Sequence, residues 1–193
     1  ALALSRDHGG KADEVATLIL QSQVRLSKED PVTALAAARE ALTLAREEGS
    51  HTQVGSAVEM VVEALLASGG KDEALASAQG ALPGLPLTGR GAVTAMCAIA
   101  LAMTACRGID AAVAEVKSFV VQLREAGNRR GEVRMLLKLA CMSPIPEEAM
   151  NSAQAALDLA QKIGDAPQES AVKSALTDLY VARGRIEKAP TRK

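Results

Sequence analysis

The sequence predicts an all-α fold in which antiparallel helix pairs repeat about every 40 residues. Composition gives the first reason, because 38 of the 193 residues are Ala, and Ala and Leu lead the order of helix propensity. The second reason is the scarcity of aromatic side chains. Trp is absent, Tyr180 is the only Tyr and Phe119 the only Phe, whereas β-strands favour aromatic and β-branched residues. The third reason is a short sequence motif that is repeated along the whole chain.

The returning pattern is a small residue followed by an aliphatic one, with further small or aliphatic residues at three- and four-residue spacing. Its starting points are Ala34, Ala74, Ala112 and Ala149, which lie 40, 38 and 37 residues apart. Apolar residues at this spacing occupy one face of a helix. The period predicts repeat units at residues 11–50, 51–89, 90–128 and 129–165, and a partial unit at 166–193.

Each period is long enough for two helices. The first helices of the repeats are expected at Ala12–Ser27, Gln53–Ser68, Ala92–Cys106, Glu132–Met142 and Gln168–Arg183. The second helices are expected at Pro31–Glu48, Asp72–Leu82, Asp110–Ala126 and Pro146–Ile163.

Prolines and glycines mark the expected helix ends. Pro31 and Pro146 suit a first helical turn, where the missing N–H has no helical partner in any case. Glycines after a helix favour a left-handed cap, and this is expected at Gly49, Gly69, Gly127, Gly164 and Gly184.

The second unit is irregular, because residues 83–89 read Pro-Gly-Leu-Pro-Leu-Thr-Gly where the last turns of its second helix should lie. Proline interrupts a helix, so this helix is expected to stop near Leu82. Two interpretations remain open: a shortened helix with a bulging loop, or a hinge at residues 83–91 between two half-arrays.

Bulk properties exclude several classes of protein. A net charge of -1 and a pI near 6.2 give no electrostatic reason to expect nucleic acid or a membrane surface. The uncharged run from Gly91 to Cys106 has 16 residues, and no uncharged run is longer, whereas a bilayer requires ~20. Three cysteines, Cys97, Cys106 and Cys141, are too few for a disulfide framework. They predict buried reduced thiols and an intracellular, reducing compartment.

These units resemble tetratricopeptide repeats (TPRs), particularly the variety of about 40 residues found in kinesin light chains and some bacterial regulators. The family places two small residues seven positions apart in its second helix, and Ala34/Ala41, Ala74/Ala81 and Ala149/Ala156 match both positions. Gly69 and Gly184 match the interhelix glycine, and Tyr180 the favoured tyrosine. The resemblance covers the whole chain, although the family's tryptophan is replaced throughout by Leu18, Val58, Met96, Val133 and Lys173. The first residues match the end of a second helix, so the chain is expected to be cut from a longer array.

The resemblance implies a right-handed superhelix with about four full repeats and partial repeats at both ends. It also implies a concave groove, lined by the first helices, that binds a partner helix or peptide. The register of the family then places in the groove an acidic pair, an uncharged floor and a basic pair, with Gln23 and Asp178 at the ends. The acidic pair is Glu59 and Glu63, the uncharged floor is Thr94, Cys97, Leu101 and Thr104, and the basic pair is Arg134 and Lys138.

This arrangement suits a partner segment that carries opposite charges at its two ends. The alternative is that the charged residues are solvated stripes at four-residue spacing. The predicted function is a non-catalytic protein–protein interaction module, a scaffold or adaptor subunit of a larger assembly. Two other functions stay open: an RNA-binding helical repeat acting through the Arg124–Arg134 region, and a regulatory or sensor region of a multidomain protein.

Catalytic and ligand signals are weak. His8 and His51 are expected in interhelix loops, and no pattern of Cys or carboxylates gives them metal-ligand spacing. The Gly-Gly-Lys stretches at 9–11 and 69–71 lack the spacing of a phosphate loop. The sequence therefore predicts neither catalytic residues nor a cofactor or metal.

Overall fold

The computed structural model describes residues 10–187, with side chains as far as Val181. Within these residues there are nine α-helices and no strand. The helices are α1 (Lys11–Ser27), α2 (Pro31–Glu47), α3 (His51–Ala67), α4 (Lys71–Ala81), α5 (Arg90–Arg107), α6 (Ile109–Glu125), α7 (Arg129–Met142), α8 (Pro146–Ile163) and α9 (Ala166–Glu187). The predicted likeness of residues 1–9 to the end of a second helix lies outside the described residues, as does His8.

The all-α helix-pair architecture is confirmed, and the chain divides into two compact units. Unit 1 comprises Ala1–Ala112 and unit 2 Val113–Lys193, so the division falls within α6. In unit 1, α1 packs against α2 and α3, and α3 packs against α4 and α5. In unit 2, α7 packs against α8 and α9. Each of these first helices therefore contacts its own second helix and the next first helix. The hinge at residues 83–91 stays a prediction.

The second helices bury rows of alanine. In α2 the buried residues are Ala34, Ala38, Ala41 and Ala45, and in α8 they are Ala149, Ala153, Ala156 and Ala160. Spacings of four, three and four residues keep each row on one face of its helix. Each of these alanines is at most 2 % exposed. A row of methyl groups lets the neighbouring helix come close, which is why the repeating pattern in the sequence consists of small residues.

The first helices supply most of the bulk of the core. Their fully buried large side chains include Leu18, Val58, Leu65, Met96, Ile99, Val133 and Met135. Phe119 of α6 is also buried. Large aliphatic residues on one helix and alanine on its partner fill the space between the helices without aromatic rings, in keeping with the dense packing of protein interiors.

Glycines end several helices as predicted. Gly49, Gly69, Gly127 and Gly164 have φ values of 69°, 87°, 72° and 67°, the left-handed region that glycine adopts most readily. Gly184 does not cap a helix end as predicted, because α9 continues through it to Glu187. An interior glycine costs only about 1 kcal/mol relative to alanine, so it need not end a helix.

Glu29 occupies a left-handed position without being glycine. It follows α1 at φ 59°, whereas Gly69 occupies the corresponding position after α3. A side chain with a Cβ is strained there by about 1–2 kcal/mol.

We therefore expect Glu29→Gly to increase the free energy of unfolding by about 1 kcal/mol, since relief of strain exceeds the added freedom of the unfolded chain. Urea denaturation of the two proteins measures the change. Gly69→Ala is the matched control: a Cβ at Gly69 meets nothing within 4 Å, so its expected loss of stability reports backbone conformation alone. A Glu29→Gly protein less stable than the wild type would contradict this account.

Backbones meet directly between α3 and α5. A Cβ built on Gly55 would lie 2.7 Å from Cα of Gly91, and one built on Gly91 would lie 2.7 Å from the carbonyl carbon of His51. Because these neighbours are main-chain atoms, no side-chain rotation can make room. The absence of a Cβ at these two glycines allows the two first helices to come into backbone contact.

We expect Gly91→Ala to lower the free energy of unfolding by about 1–3 kcal/mol, because the methyl group would force the two helices apart. Gly80→Ala is the control: this glycine lies inside α4 with nothing within 4 Å of its Cβ position, so the same change should stabilise by about 0.5–1 kcal/mol. Thermal unfolding of both variants measures the contrast. Equal melting temperatures for the two would disprove the close contact.

Two glutamines join neighbouring first helices at the same position of the repeat. Gln53 is the third residue of α3, and its Nε2 donates to the carbonyl of Ala12 in α1 at 2.8 Å. Gln168 is the third residue of α9, and its Nε2 donates to the carbonyl of Arg130 in α7 at 3.3 Å. In each case the acceptor belongs to the second residue of the preceding first helix.

Candidate partner-binding site

The predicted acidic pair lies on the narrow accessible stripe of α3. From Val54 to Leu65 every residue is buried except Ser56, Glu59 and Glu63. Their spacing of three and four residues makes one line along the helix. We call these three residues the acidic stripe. Packing on the remaining faces leaves this stripe as the part of α3 that a partner can reach.

Only part of the predicted uncharged floor is accessible. From Gly91 to Met103 of α5, the residues that are not buried are Cys97, which is partly buried, and Leu101, which is 38 % exposed. Thr94 differs from the prediction: it is buried, and its Oγ1 donates to the carbonyl of Arg90 at 3.2 Å. Because its own helix satisfies this hydroxyl, Thr94 can be buried without a partner. Thr104 is partly buried, and its hydroxyl likewise donates within the helix, to Ala100.

The acidic stripe holds two like charges close together. Burial, and secondarily the neighbouring carboxylate of Glu59, raises the pKa of Glu63 above its ordinary value. Neither carboxylate makes an ion pair with any described residue. The charged form of Glu63 is therefore disfavoured, and a cation placed beside it would relieve the cost.

Unit 2 carries the predicted basic pair on an equivalent line. From Gly131 to Ala140 of α7, only Arg134, Leu137 and Lys138 are not buried. Within the described part of the chain, neither Arg134 nor Lys138 has an ion-pair partner. We call these two residues the basic stripe. Asp178 lies exposed on α9, and Gln23 lies exposed on α1.

The other arginines around α7 are used internally. Nε of Arg124 lies 2.7 Å from Glu132, and Nη1 of Arg129 lies 2.9 Å from the same carboxylate, whose side chain is only 4 % exposed. Nε of Arg130 lies 3.0 Å from Asp165. This network was not predicted from the sequence, although the three-residue spacing of Arg129 and Glu132 on one helix was a signal for it. Carboxylates therefore neutralise most of the basic cluster that suggested RNA binding.

The cysteines differ from the buried thiols that were predicted. All three lie in the described part of the chain, and none forms a disulfide. Cys97 and Cys106 are partly buried and Cys141 is exposed. Among residues 10–187, no three His, Cys, Asp or Glu side chains are grouped so as to hold a metal ion. No helix in that part of the chain has the length and apolar character needed to cross a membrane.

Solved structures of repeat proteins have a similar fold. BtubC (BKLC) from P. vanneervenii gives a TM-score of 0.63 at 17% identity, covering 93% of this chain and 76% of that one. Two structures of a Podosopora anserina protein, described as a kinesin light chain with nearly identical TPR-like repeats, give TM-scores of 0.47 and 0.46 at 12% identity. They cover 92% and 89% of this chain, and 100% and 97% of their own.

No protein-family model and no curated protein matches the chain in sequence. Likeness at this level of identity concerns the fold, and it confirms the predicted TPR-like helical repeat.

The raised pKa of Glu63 gives a pH-dependent prediction. A carboxyl group with a higher pKa in the folded state holds more protons there than in the unfolded state, so stability falls as pH rises from its ordinary value of 4.5 through the raised value. We expect Glu63→Gln to increase the free energy of unfolding at pH 7, and the gain to vanish at a pH below 4.5, where both states are protonated.

Urea denaturation at several pH values tests this prediction. The control is Glu115→Gln, a partly buried glutamate of α6 whose neighbours three and four positions away carry no charge. The same pH-dependent gain in the control, or a Glu63→Gln protein less stable at pH 7, would contradict the assignment.

Proposed function

We propose that this chain is a non-catalytic protein-interaction module, a scaffold or adaptor subunit, in which the accessible stripes of the first helices contact a partner protein. Repeat solenoids generally use extended surfaces of this kind to bind other proteins. The proposal is supported by the TPR-like fold and by the charges that this fold leaves without internal partners.

The observation that carries the proposal is the acidic stripe. Glu59 and Glu63 are partly buried, lie one turn apart and make no ion pair with a described residue. Such an arrangement costs stability in the isolated chain. A Lys or Arg side chain of a partner would find an unpaired, partly desolvated carboxylate there, where a charge-assisted hydrogen bond is strong.

The basic stripe of unit 2 requires partner groups with a negative charge. Arg134 and Lys138 would bind carboxylates of the partner by donating hydrogen bonds to them. Both residues project from a helix whose other faces are mostly buried. A partner that carries a basic segment for unit 1 and an acidic segment for unit 2 would satisfy both stripes. Complementary charges of this kind determine specificity and association rate.

The stripes contain no aromatic residue, whereas Trp and Tyr dominate the energetic centres of many interfaces. Tyr180 is 59 % exposed, but it lies on α9, outside both stripes. We therefore propose that affinity is distributed over many contacts along the first helices, without one deeply inserted anchor.

Charge reversal tests this function. We expect Glu59→Lys with Glu63→Lys, and separately Arg134→Glu with Lys138→Glu, to weaken capture of the native partner by at least about tenfold, since like charges would then face each other. The measurement is quantitative affinity capture from the source organism, followed by titration of the partner that the wild-type chain retains.

Glu125→Lys with Lys162→Glu is the matched control, because both residues are exposed on second helices and form no ion pair with a described residue. Circular dichroism must show that every variant keeps its helical content. A partner retained equally well by the stripe variants and by the control would reject this surface.

A further inference from the structure

A cavity of about 310 Å³ lies in unit 1 where α4 stops short. Helix α4 has 11 residues, whereas the second helix of the preceding repeat, α2, has 17. A 3-10 turn, Leu82–Gly84, follows α4, and Leu85 comes next. Pro83 lies in this turn and lacks the N–H that a continuing helix would use. The residues that made the second repeat irregular in sequence therefore also form one wall of the cavity.

The lining of the cavity combines buried apolar side chains with two exposed basic ones. Val54, Ala81 and Leu85 are lining residues that are each at most 7 % exposed. Arg46 and His51 also line it, and both are exposed. No Asp or Glu is among the lining residues.

The guanidinium of Arg46 is available to a ligand. It makes no ion pair or side-chain hydrogen bond with any residue in the described part of the chain. Guanidinium groups bind carboxylates and phosphates through two parallel hydrogen bonds, and the imidazole of His51 adds another nitrogen donor. Glycines at 49, 80 and 84 complete the lining and leave the space between these groups open.

From this geometry we propose that the cavity binds a small amphipathic anion, with its hydrocarbon part against Val54, Ala81 and Leu85 and its carboxylate or phosphate ester against Arg46 and His51. The volume is at the lower end of the range for small-molecule sites, about 300–1,000 Å³. A ligand with a single ring and one acidic group is of suitable size. This inference is independent of the proposed partner surface, because none of the stripe residues lines the cavity.

The test is an NMR titration of the isotopically labelled full chain with benzoate and, separately, with phenyl phosphate at constant ionic strength. We expect saturable shifts in the amide resonances of Gly49, Gly80 and Gly84. The anion that binds more tightly identifies the acidic group that the site prefers.

Two variants make the assignment specific. Arg46→Ala should weaken binding by about tenfold or more, because it removes a charge-assisted hydrogen bond. Gly80→Leu should abolish binding by filling the cavity, and it should fold, because a Cβ at this helical position meets nothing within 4 Å. Arg107→Ala, at the exposed end of α5, is the matched control and should bind as the wild type does. Absence of saturable shifts with both anions, or unchanged affinity in both cavity variants, would overturn the proposal.

Discussion

Close contact between helix backbones is the constraint on which the rest of the structure depends. The alanine rows of α2 and α8 allow it within a repeat, and Gly55 with Gly91 allows it between α3 and α5. Small residues fill little volume, so the first helices must supply the large aliphatic side chains of the core. Among them, α3, α5 and α7 are packed around most of their circumference. What remains accessible is a single line of residues on each of α3, α5 and α7, which makes the candidate surface a product of the packing.

Most of the helices could be predicted from the sequence because the repeat supplied several signals at once. Alanine spacing, terminal glycines and prolines agreed on the helix ends to within three residues, except at the C-terminal end of α9. The failures occur where a local signal is weaker than its surroundings. Gly184 does not end α9, because the neighbouring residues continue the helix. Glu29 adopts a left-handed conformation that the sequence does not indicate, since no glycine stands at this position.

The residues of the candidate site could be predicted only in part. Periodicity identified the helices, and the register implied by the TPR resemblance indicated the face on which Glu59, Glu63, Arg134 and Lys138 lie; all four are accessible in the structure. Burial depends on distances that periodicity does not give, which is why Thr94 was assigned to the surface although it is enclosed. The cavity beside Arg46 was harder still to predict, because its walls come from two short segments, 46–54 and 80–85, that meet only in the folded chain.

The bonds from Gln53 and Gln168 have a consequence for how such an array can change during evolution. Each glutamine contacts a main-chain carbonyl, and that acceptor exists whatever side chain stands at position 12 or 130. Between α1 and α3 and between α7 and α9, this bond therefore requires a particular side chain on only one of the two helices. One repeat can diverge in sequence, or be exchanged for another, while its neighbour still finds the same atom to bind. The side chains at positions 12 and 130 can therefore change while the hydrogen bonds that align these helices are kept.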